Sequence, residues 1–125
     1  MKLRLSLLPG RFAVCRLGVD ASVPADLLVS PQAFVSITRS ADELSIVCPE
    51  TLAPAGAQVQ AGWRVFKVMG PLDFSLTGII ATLTAPLAEA KISVFAVATY
   101  DTDYILVQEE NLEGAKQALA QFLER

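Results

Sequence analysis

Hydrophobic and polar positions follow a clear order over residues 63–111. Trp63 to Met69 alternates and is rich in Val and Phe, which predicts a half-buried strand. Gly70-Pro71 breaks this pattern, and apolar residues between Leu76 and Ala90 then recur at spacings of three and four, as in an amphipathic helix. Further predicted elements are two strands and a helix, over residues 92–99, 104–108 and 112–124. The order strand, helix, strand, strand, helix is most of a ferredoxin-like βαββαβ unit.

The first half of the chain predicts a similar but weaker order. Its predicted elements are strands over 2–8, 12–17, 34–38, 44–47 and 57–61, a short helix over 23–29 and a helical turn over 49–55. Shifting the sequence by 61 positions places Thr38 on Thr99 and Asp42 on Asp103. Burial in a sheet explains the aliphatic residues that the two segments share, but not the shared Thr and Asp. We interpret the match as an internal duplication.

The second half lacks the last strand of a βαββαβ unit, because the sequence ends within its second helix. An uncovered central strand would leave backbone groups exposed, so another segment has to complete the sheet. We expect residues 2–8 to do so, and residues 11–17 to begin the first unit. In the alternative, residues 2–8 are the first unit's own opening strand. The predicted domains are a degenerate first unit over 1–61 and an intact second unit over 62–125.

Composition excludes several classes of function. A net charge of -3, from 10 basic and 13 acidic residues, argues against binding to nucleic acid. No apolar run reaches the roughly 20 residues that span a bilayer, and Arg11 and Arg16 argue against a signal peptide. The chain has no histidine, which excludes His-based catalysis and His-metal sites. Cys15 and Cys48 lack CxxC spacing, which favours buried thiols in a reducing cytosol over a disulfide or metal pair.

One stretch resembles a known family. GPLDFSLTGIIATLTAPLAEAKISVFAVATYDTDYILV is similar to ACT domains, and most similar to the branch with the animal cytosolic arginine sensors and small bacterial proteins. The resembling parts are Gly70-Pro71-Leu72, Gly78-Ile79-Ile80-Ala81 and the hairpin from Ala98 to Tyr104; SADELSIVCPE earlier in the chain adds to them. The resemblance implies an α+β fold with two ACT-like units in tandem, each with an antiparallel sheet and helices on one face. It also implies a small effector, commonly an amino acid.

In ACT domains the loop before the helix, the helix start and the facing strand edge form the effector pocket. By resemblance, the candidate ligand-binding residues are Gly70, Leu72, Asp73, Thr77, Gly78, Ile79, Thr99, Tyr100 and Asp103. A helix N-terminus attracts carboxylates, which suits such a ligand. Structural roles remain as alternatives: Asp73 as a helix cap, Gly78 as a glycine packed between helix and sheet, Tyr100 as a cover on the sheet edge, and Asp103 as a turn residue.

The identity of the ligand is left open by the sequence. In the arginine-sensing relatives an acidic residue at the helix start helps to hold arginine, but this chain has Leu76 there, followed by Thr77 in place of a cysteine. The acidic hairpin residue is retained as Asp103. One carboxylate holds a cation less selectively than two, so another amino acid is as plausible as arginine.

The function expected from the sequence is regulatory. No Ser or Cys nucleophile has a recognisable base, so we predict no enzymatic activity, no catalytic residue, no metal and no cofactor. We expect a cytoplasmic amino-acid sensor that forms a homodimer, does not bind membranes, and passes its state to a protein partner. The alternative is a structural dimerisation module without a ligand.

Overall fold

The computed structural model describes residues 3–29, 34–70 and 78–123. The strands and α-helices in these ranges are β1 (Leu5–Leu7), β2 (Phe12–Leu17), α1 (Ala25–Val29), β3 (Ser36–Arg39), β4 (Leu44–Pro49), β5 (Gln58–Val68), α2 (Ile79–Glu89), β6 (Phe95–Ala98), β7 (Asp103–Gln108) and α3 (Leu112–Ala118). Short 3₁₀ turns cover Glu50–Leu52, Glu109–Asn111 and Ala120–Phe122. No helix in the described ranges has the length and apolar character needed to cross a membrane.

The chain divides into two compact units. One is the contiguous unit, Pro9–Trp63. The other is the discontinuous unit, which combines Met1–Leu8 with Arg64–Arg125. The two predicted ACT-like repeats, 1–61 and 62–125, and their origin by duplication remain predictions.

The contiguous unit is a small sheet with one short helix. Strand β2 pairs antiparallel with β4 and with the first part of β5, and β4 pairs antiparallel with β3. Its core consists of apolar residues from β2, α1 and β4, namely Ala13, Cys15, Leu27, Leu44, Ile46 and Cys48. Arg39, on the edge strand β3, donates hydrogen bonds to the carbonyls of Val19 and Ala21, so it fixes the segment before α1.

Both cysteines belong to this core as free, buried thiols. In the β2–β4 register Ala13 faces Cys48 and Cys15 faces Ile46, which puts both thiols on the same face of the sheet. Burial raises the pKa of both thiols. The pKa of Cys48 rises to about 12, because the neighbouring Cys15 adds to the effect of burial. Because a thiol has to ionise to act as a nucleophile or metal ligand, both side chains behave as small hydrophobic residues at neutral pH.

The connection between residues 57 and 69 differs from the prediction. The sequence predicts two strands interrupted near Gly62, but the structure has one strand, Gln58–Val68. Gly62 has a φ of 84°, and the β2–β5 register shifts opposite it, as in a β-bulge. The Gly62 N–H donates to the Glu50 carboxylate (2.6 Å), and Arg11 forms an ion pair with the same oxygen (3.5 Å). Glycine therefore bends this strand, where the sequence pattern indicated that it ends one.

The discontinuous unit is completed by the opening strand. Strand β1 pairs antiparallel with the end of β5, with Leu5 opposite Val68 and Leu7 opposite Phe66. Leu5 also bridges to Leu123. Strand β5 lies between β1 and β7, and β7 pairs antiparallel with the edge strand β6. This is the pairing expected for an exchanged opening strand.

One hydrophobic core holds the helices of the discontinuous unit against its sheet. Ile79, Leu83 and Leu87 of α2 recur every four residues, as the sequence predicts, and all three are buried. The other buried members of this core are Leu3, Leu5, Phe66, Val68, Ile92, Ile105, Val107, Leu112, Ala115 and Leu119. Because Phe66, Val68 and Ile105 face the helices, alternate strand residues such as Lys67 and Tyr104 face the other side of the sheet.

Several predicted boundaries are too long. Strand β6 covers Phe95–Ala98, whereas 92–99 was predicted, and α3 ends at Ala118 rather than at residue 124. After Ala118 the chain tightens into the 3₁₀ turn Ala120–Phe122, which keeps Leu119 buried. The predicted start of α2 at Leu76 lies outside the described residues.

Candidate functional site

The turn between β6 and β7 is closed by two threonines. The Thr99 N–H and hydroxyl both donate to the carbonyl of Thr102, at 2.8 and 3.0 Å. The Thr102 N–H donates in return to the Thr99 hydroxyl at 3.3 Å. Threonine hydroxyls that bond nearby backbone groups are a usual way to fix a turn. The predicted candidate Thr99 therefore has a structural role at the tip of the hairpin.

Thr102 anchors this turn to the neighbouring strand. Among the polar and charged side chains in the described part of the chain, only that of Thr102 is buried, with 4% of its surface exposed. Its hydroxyl donates to the carbonyl of Val68 at the end of β5, a bond between residues 34 positions apart. The sequence identifies Asp101-Thr102-Asp103 as a polar turn, but gives no sign that its central side chain points inward.

Replacing Thr102 by Val tests this anchor, because the shape of the side chain is kept and the hydroxyl is lost. We expect the free energy of unfolding to fall by about 1–3 kcal/mol, since the Val68 carbonyl loses a buried donor. Thr102→Ser retains the hydroxyl and is expected to retain most of the stability. Urea denaturation measures both variants, and equal losses for Val and Ser would contradict the role of the hydrogen bond.

Asp103 lies next to this anchor, at the first position of β7 and opposite Ala98 of β6. Strand alternation places its side chain on the same face as Ile105, the face that carries α2 and α3. The residue is half-buried, and burial raises the pKa of its carboxyl above the ordinary value of 3.8. In the described part of the chain the carboxylate has no hydrogen-bond donor and no cation beside it. It is therefore a desolvated negative charge that lacks compensation from these residues.

The start of α2 provides the helix N-terminus. Gly78 precedes the helix with a φ of 76°, and its carbonyl accepts bonds from the Thr82 N–H (2.8 Å) and hydroxyl (2.7 Å). Among the described residues, a Cβ atom at Gly78 would meet nothing within 4 Å, so these residues do not support the alternative of a packed glycine. The glycine is required by its left-handed conformation. Ile79 is buried in the core, which leaves its backbone as the part that could meet a ligand.

A cavity of about 220 Å³ lies beside the anchored turn. Its lining residues are Lys67, Met69, Gly70, Thr99, Asp101, Thr102 and Tyr104. Of the predicted binding residues, Gly70 and Thr99 border this cavity, whereas Gly78, Ile79 and Asp103 do not. Tyr100 is 81% exposed at the tip of the turn. The candidates Leu72, Asp73 and Thr77 lie outside the described residues.

The structure adds residues that sequence reasoning did not single out. Lys67, Met69, Thr102 and Tyr104 line the cavity, because β5 and β7 are neighbours in the sheet. Alternation along β5 and β7 places Lys67 and Tyr104 on the same face of the sheet, but this follows from the sequence only once the two strands are known to be neighbours. In the ranges 3–29, 34–70 and 78–123, no group of three or more Cys, Asp or Glu side chains could hold a metal ion.

Comparison with family models gives two matches. A model described as ACT domain matches residues 58–121, about half of the chain. A second model, described as an N-terminal domain, matches residues 10–55. The two matches adjoin at the start of β5.

Known proteins resemble the chain in sequence and in structure. The cytosolic arginine sensor for mTORC1 subunit 1 from Bos taurus is 34% identical over 98 residues, which are 70% of this chain and 30% of the sensor. The chain thus spans less than a third of that relative. A crystal structure of a protein from Agrobacterium tumefaciens is 37% identical, with a TM-score of 0.86, and the match covers 100% of this chain and 96% of that one.

The fold recurs in proteins of low sequence identity. The regulatory subunit of aspartate kinase from Thermus thermophilus is 14% identical, with a TM-score of 0.65 over 96% of this chain and 97% of that one. At this identity the likeness concerns the fold alone. It confirms the predicted α+β, ferredoxin-like architecture.

Proposed function

The chain belongs to the ACT domain family, as its sequence suggested, and on this basis we propose that it is a regulatory protein that binds a free amino acid. The arginine sensor named above, at 34% identity, supports a regulatory role. We propose that the protein acts in the cytoplasm and is not an enzyme. Its effect would be passed to a protein partner.

The observation that carries this proposal is the half-buried carboxylate of Asp103. A desolvated charge is unfavourable in the free protein, and such groups concentrate at functional sites. The ammonium group of an amino acid would offset that cost through a charge-assisted hydrogen bond. On the same face of the sheet, the N-terminus of α2 has N–H groups that favour the ligand's carboxylate. Both charges of an amino acid would thus be matched.

Homodimer formation remains part of the proposal. Strand β6 stands at the end of the strand order of its sheet, so one of its edges has no strand beside it within the described chain. An edge strand offers backbone groups to a second copy, and a two-fold pair would bring two hairpins together. In that arrangement the Asp103 site would lie close to the seam.

A thermal-shift screen with the proteinogenic amino acids at millimolar concentration tests the function. A ligand that binds only the folded state raises stability by RT ln(1 + [L]/Kd), about 2.7 kcal/mol at a hundredfold excess over Kd. We expect at least one amino acid to raise the melting temperature. A flat screen would instead favour the structural dimerisation module.

Asp103→Asn is expected to weaken binding of that amino acid about tenfold or more, because a hydrogen bond to a charged group is lost. The free energy of unfolding, in contrast, should not fall in this variant. Burial raises the pKa of Asp103 above its unfolded value, so the folded state binds more protons and the free energy of unfolding falls as pH rises through that window above 3.8. At neutral pH the Asn variant should therefore be at least as stable as the wild type.

The matched control is Asp42→Asn, which alters the exposed aspartate at the corresponding position of the first hairpin. Its affinity should equal that of the wild type. Isothermal titration at pH 7 measures affinity, and thermal melting measures stability. If Asp103→Asn bound the amino acid as tightly as Asp42→Asn, the proposed site would be wrong.

A further inference from the structure

The cavity beside the Thr99–Thr102 turn lies on the opposite side of the sheet from Asp103. Phe66 and Val68 face the helices, so Lys67 between them faces away. Tyr104 likewise faces away from the helices, because it alternates with Asp103 and Ile105. A molecule in this cavity therefore cannot reach the Asp103 carboxylate through the sheet. The cavity is a separate site from the one proposed above.

Two opposite charges line this cavity without meeting. Lys67 and Asp101 both border it, yet neither forms an ion pair with any residue in the described part of the chain, including each other. Lys67 is half-buried and Asp101 is exposed, and because the two side chains do not pair, a ligand that has both charges can lie between them. Each end would gain a charge-assisted hydrogen bond.

The wall of the cavity is preorganised. The Thr99 hydroxyl is used within the turn, and the Thr102 hydroxyl is bonded to Val68, so neither side chain is free to rotate. Asp101 lies between these two threonines in the sequence, so the hydrogen bonds of the turn also hold its backbone in place. A rigid wall lowers the entropy that binding would otherwise cost.

The size of the cavity limits the ligand. Its volume of about 220 Å³ lies below the roughly 300–1,000 Å³ of pockets that take drug-sized ligands, so it suits a small molecule such as serine or alanine.

We propose that this cavity binds a small zwitterionic amino acid, whose carboxylate contacts Lys67 and whose ammonium group contacts Asp101. The inference rests on the proposed function for the class of ligand, but it uses different residues on the other face of the sheet. Each chain would then bind two amino acid molecules. Lys67 and Asp101 become the residues that decide between zwitterions and singly charged molecules.

Titration of ¹⁵N-labelled protein with serine and alanine, followed by amide chemical shifts, tests the site. We expect shifts around residues 67–70 and 99–104, and two equivalents bound.

Lactate lacks the ammonium group and ethanolamine lacks the carboxylate, so each should bind the cavity at least tenfold more weakly. Lys67→Met keeps the apolar stem of the side chain, and Asp101→Asn alters an exposed turn residue; both should weaken this site at least tenfold. Lys116→Met is the control for a charge removed from helix α3.

The outcomes separate the two proposals. If Lys67→Met and Asp101→Asn bind serine and alanine like the wild type while Asp103→Asn loses binding, the cavity proposal is overturned and the Asp103 site stands. If only the Lys67 and Asp101 variants lose binding, the cavity stands and the Asp103 site falls. If the wild type binds none of the amino acids, both are overturned. Equal binding of serine, lactate and ethanolamine would also overturn the recognition of a zwitterion.

Discussion

Leu5→Asp is expected to abolish the stable fold of the discontinuous unit. Leu5 has no exposed surface, pairs with Val68, and packs in the core beneath α2 and α3. The substitution removes about 1.5–3 kcal/mol of hydrophobic burial. It also places a carboxylate in an apolar core, which costs at least a further few kcal/mol. The sum approaches the whole stability of an ordinary domain, about 5–15 kcal/mol.

Ser6→Asp is the matched control, because neighbouring residues of a strand face opposite sides of the sheet. Ser6 lies opposite Lys67, so a carboxylate there gains an oppositely charged neighbour across the strands. We expect Ser6→Asp to remain folded. Hydrogen exchange of the backbone amides at residues 65–69 follows both variants, and equal protection in the two would contradict the exchanged position of β1.

Phe66→Ala should lower the free energy of unfolding by about 3–5 kcal/mol. Phe66 is fully buried and lies at the centre of the same core, opposite Leu7 of β1. Truncation removes the ring and leaves a cavity that the packed strands β1 and β7 cannot close. Urea denaturation at pH 7 gives the change directly.

Phe95→Ala provides the comparison for this truncation. Phe95 begins the edge strand β6 and is only half-buried, so less apolar surface is lost on substitution. Its effect should be clearly smaller than that of Phe66→Ala. Similar losses at the two positions would mean that Phe66 does not hold the centre of the core.

The sequence predicts most of the fold because the buried positions repeat regularly. The spacing of Leu83 and Leu87 identifies α2, and the alternation after Asp103 identifies β7. The continuity of β5 could not be predicted, since a glycine in a strand pattern can either end the strand or form a bulge. Glu50, which bonds the bulge at Gly62, is distant in sequence. Contacts with residues distant in sequence thus determine whether such a glycine ends the strand or forms a bulge, which the local pattern does not show.

Thr99 and Asp103 were identified as binding residues from resemblance, and their role in binding stays a prediction. The structure places Thr99 in the turn and leaves Asp103 half-buried. Lys67 was not identified, because its importance depends on which strand lies beside β5. The corresponding hairpin of the contiguous unit pairs Thr38 with Ser45 and leaves Asp42 exposed. The two halves thus share the hairpin, whereas their duplication remains a prediction.

The exchanged strand also has a consequence for synthesis on the ribosome. Leu5 is made some sixty residues before its partner Val68, which at 5–20 residues per second is roughly 3–12 s. During that interval Leu3 and Leu5 emerge with no sheet to join. The strands of Pro9–Trp63, by contrast, are complete once Trp63 has been added. The unit whose first residues are translated earliest is therefore the last that can fold.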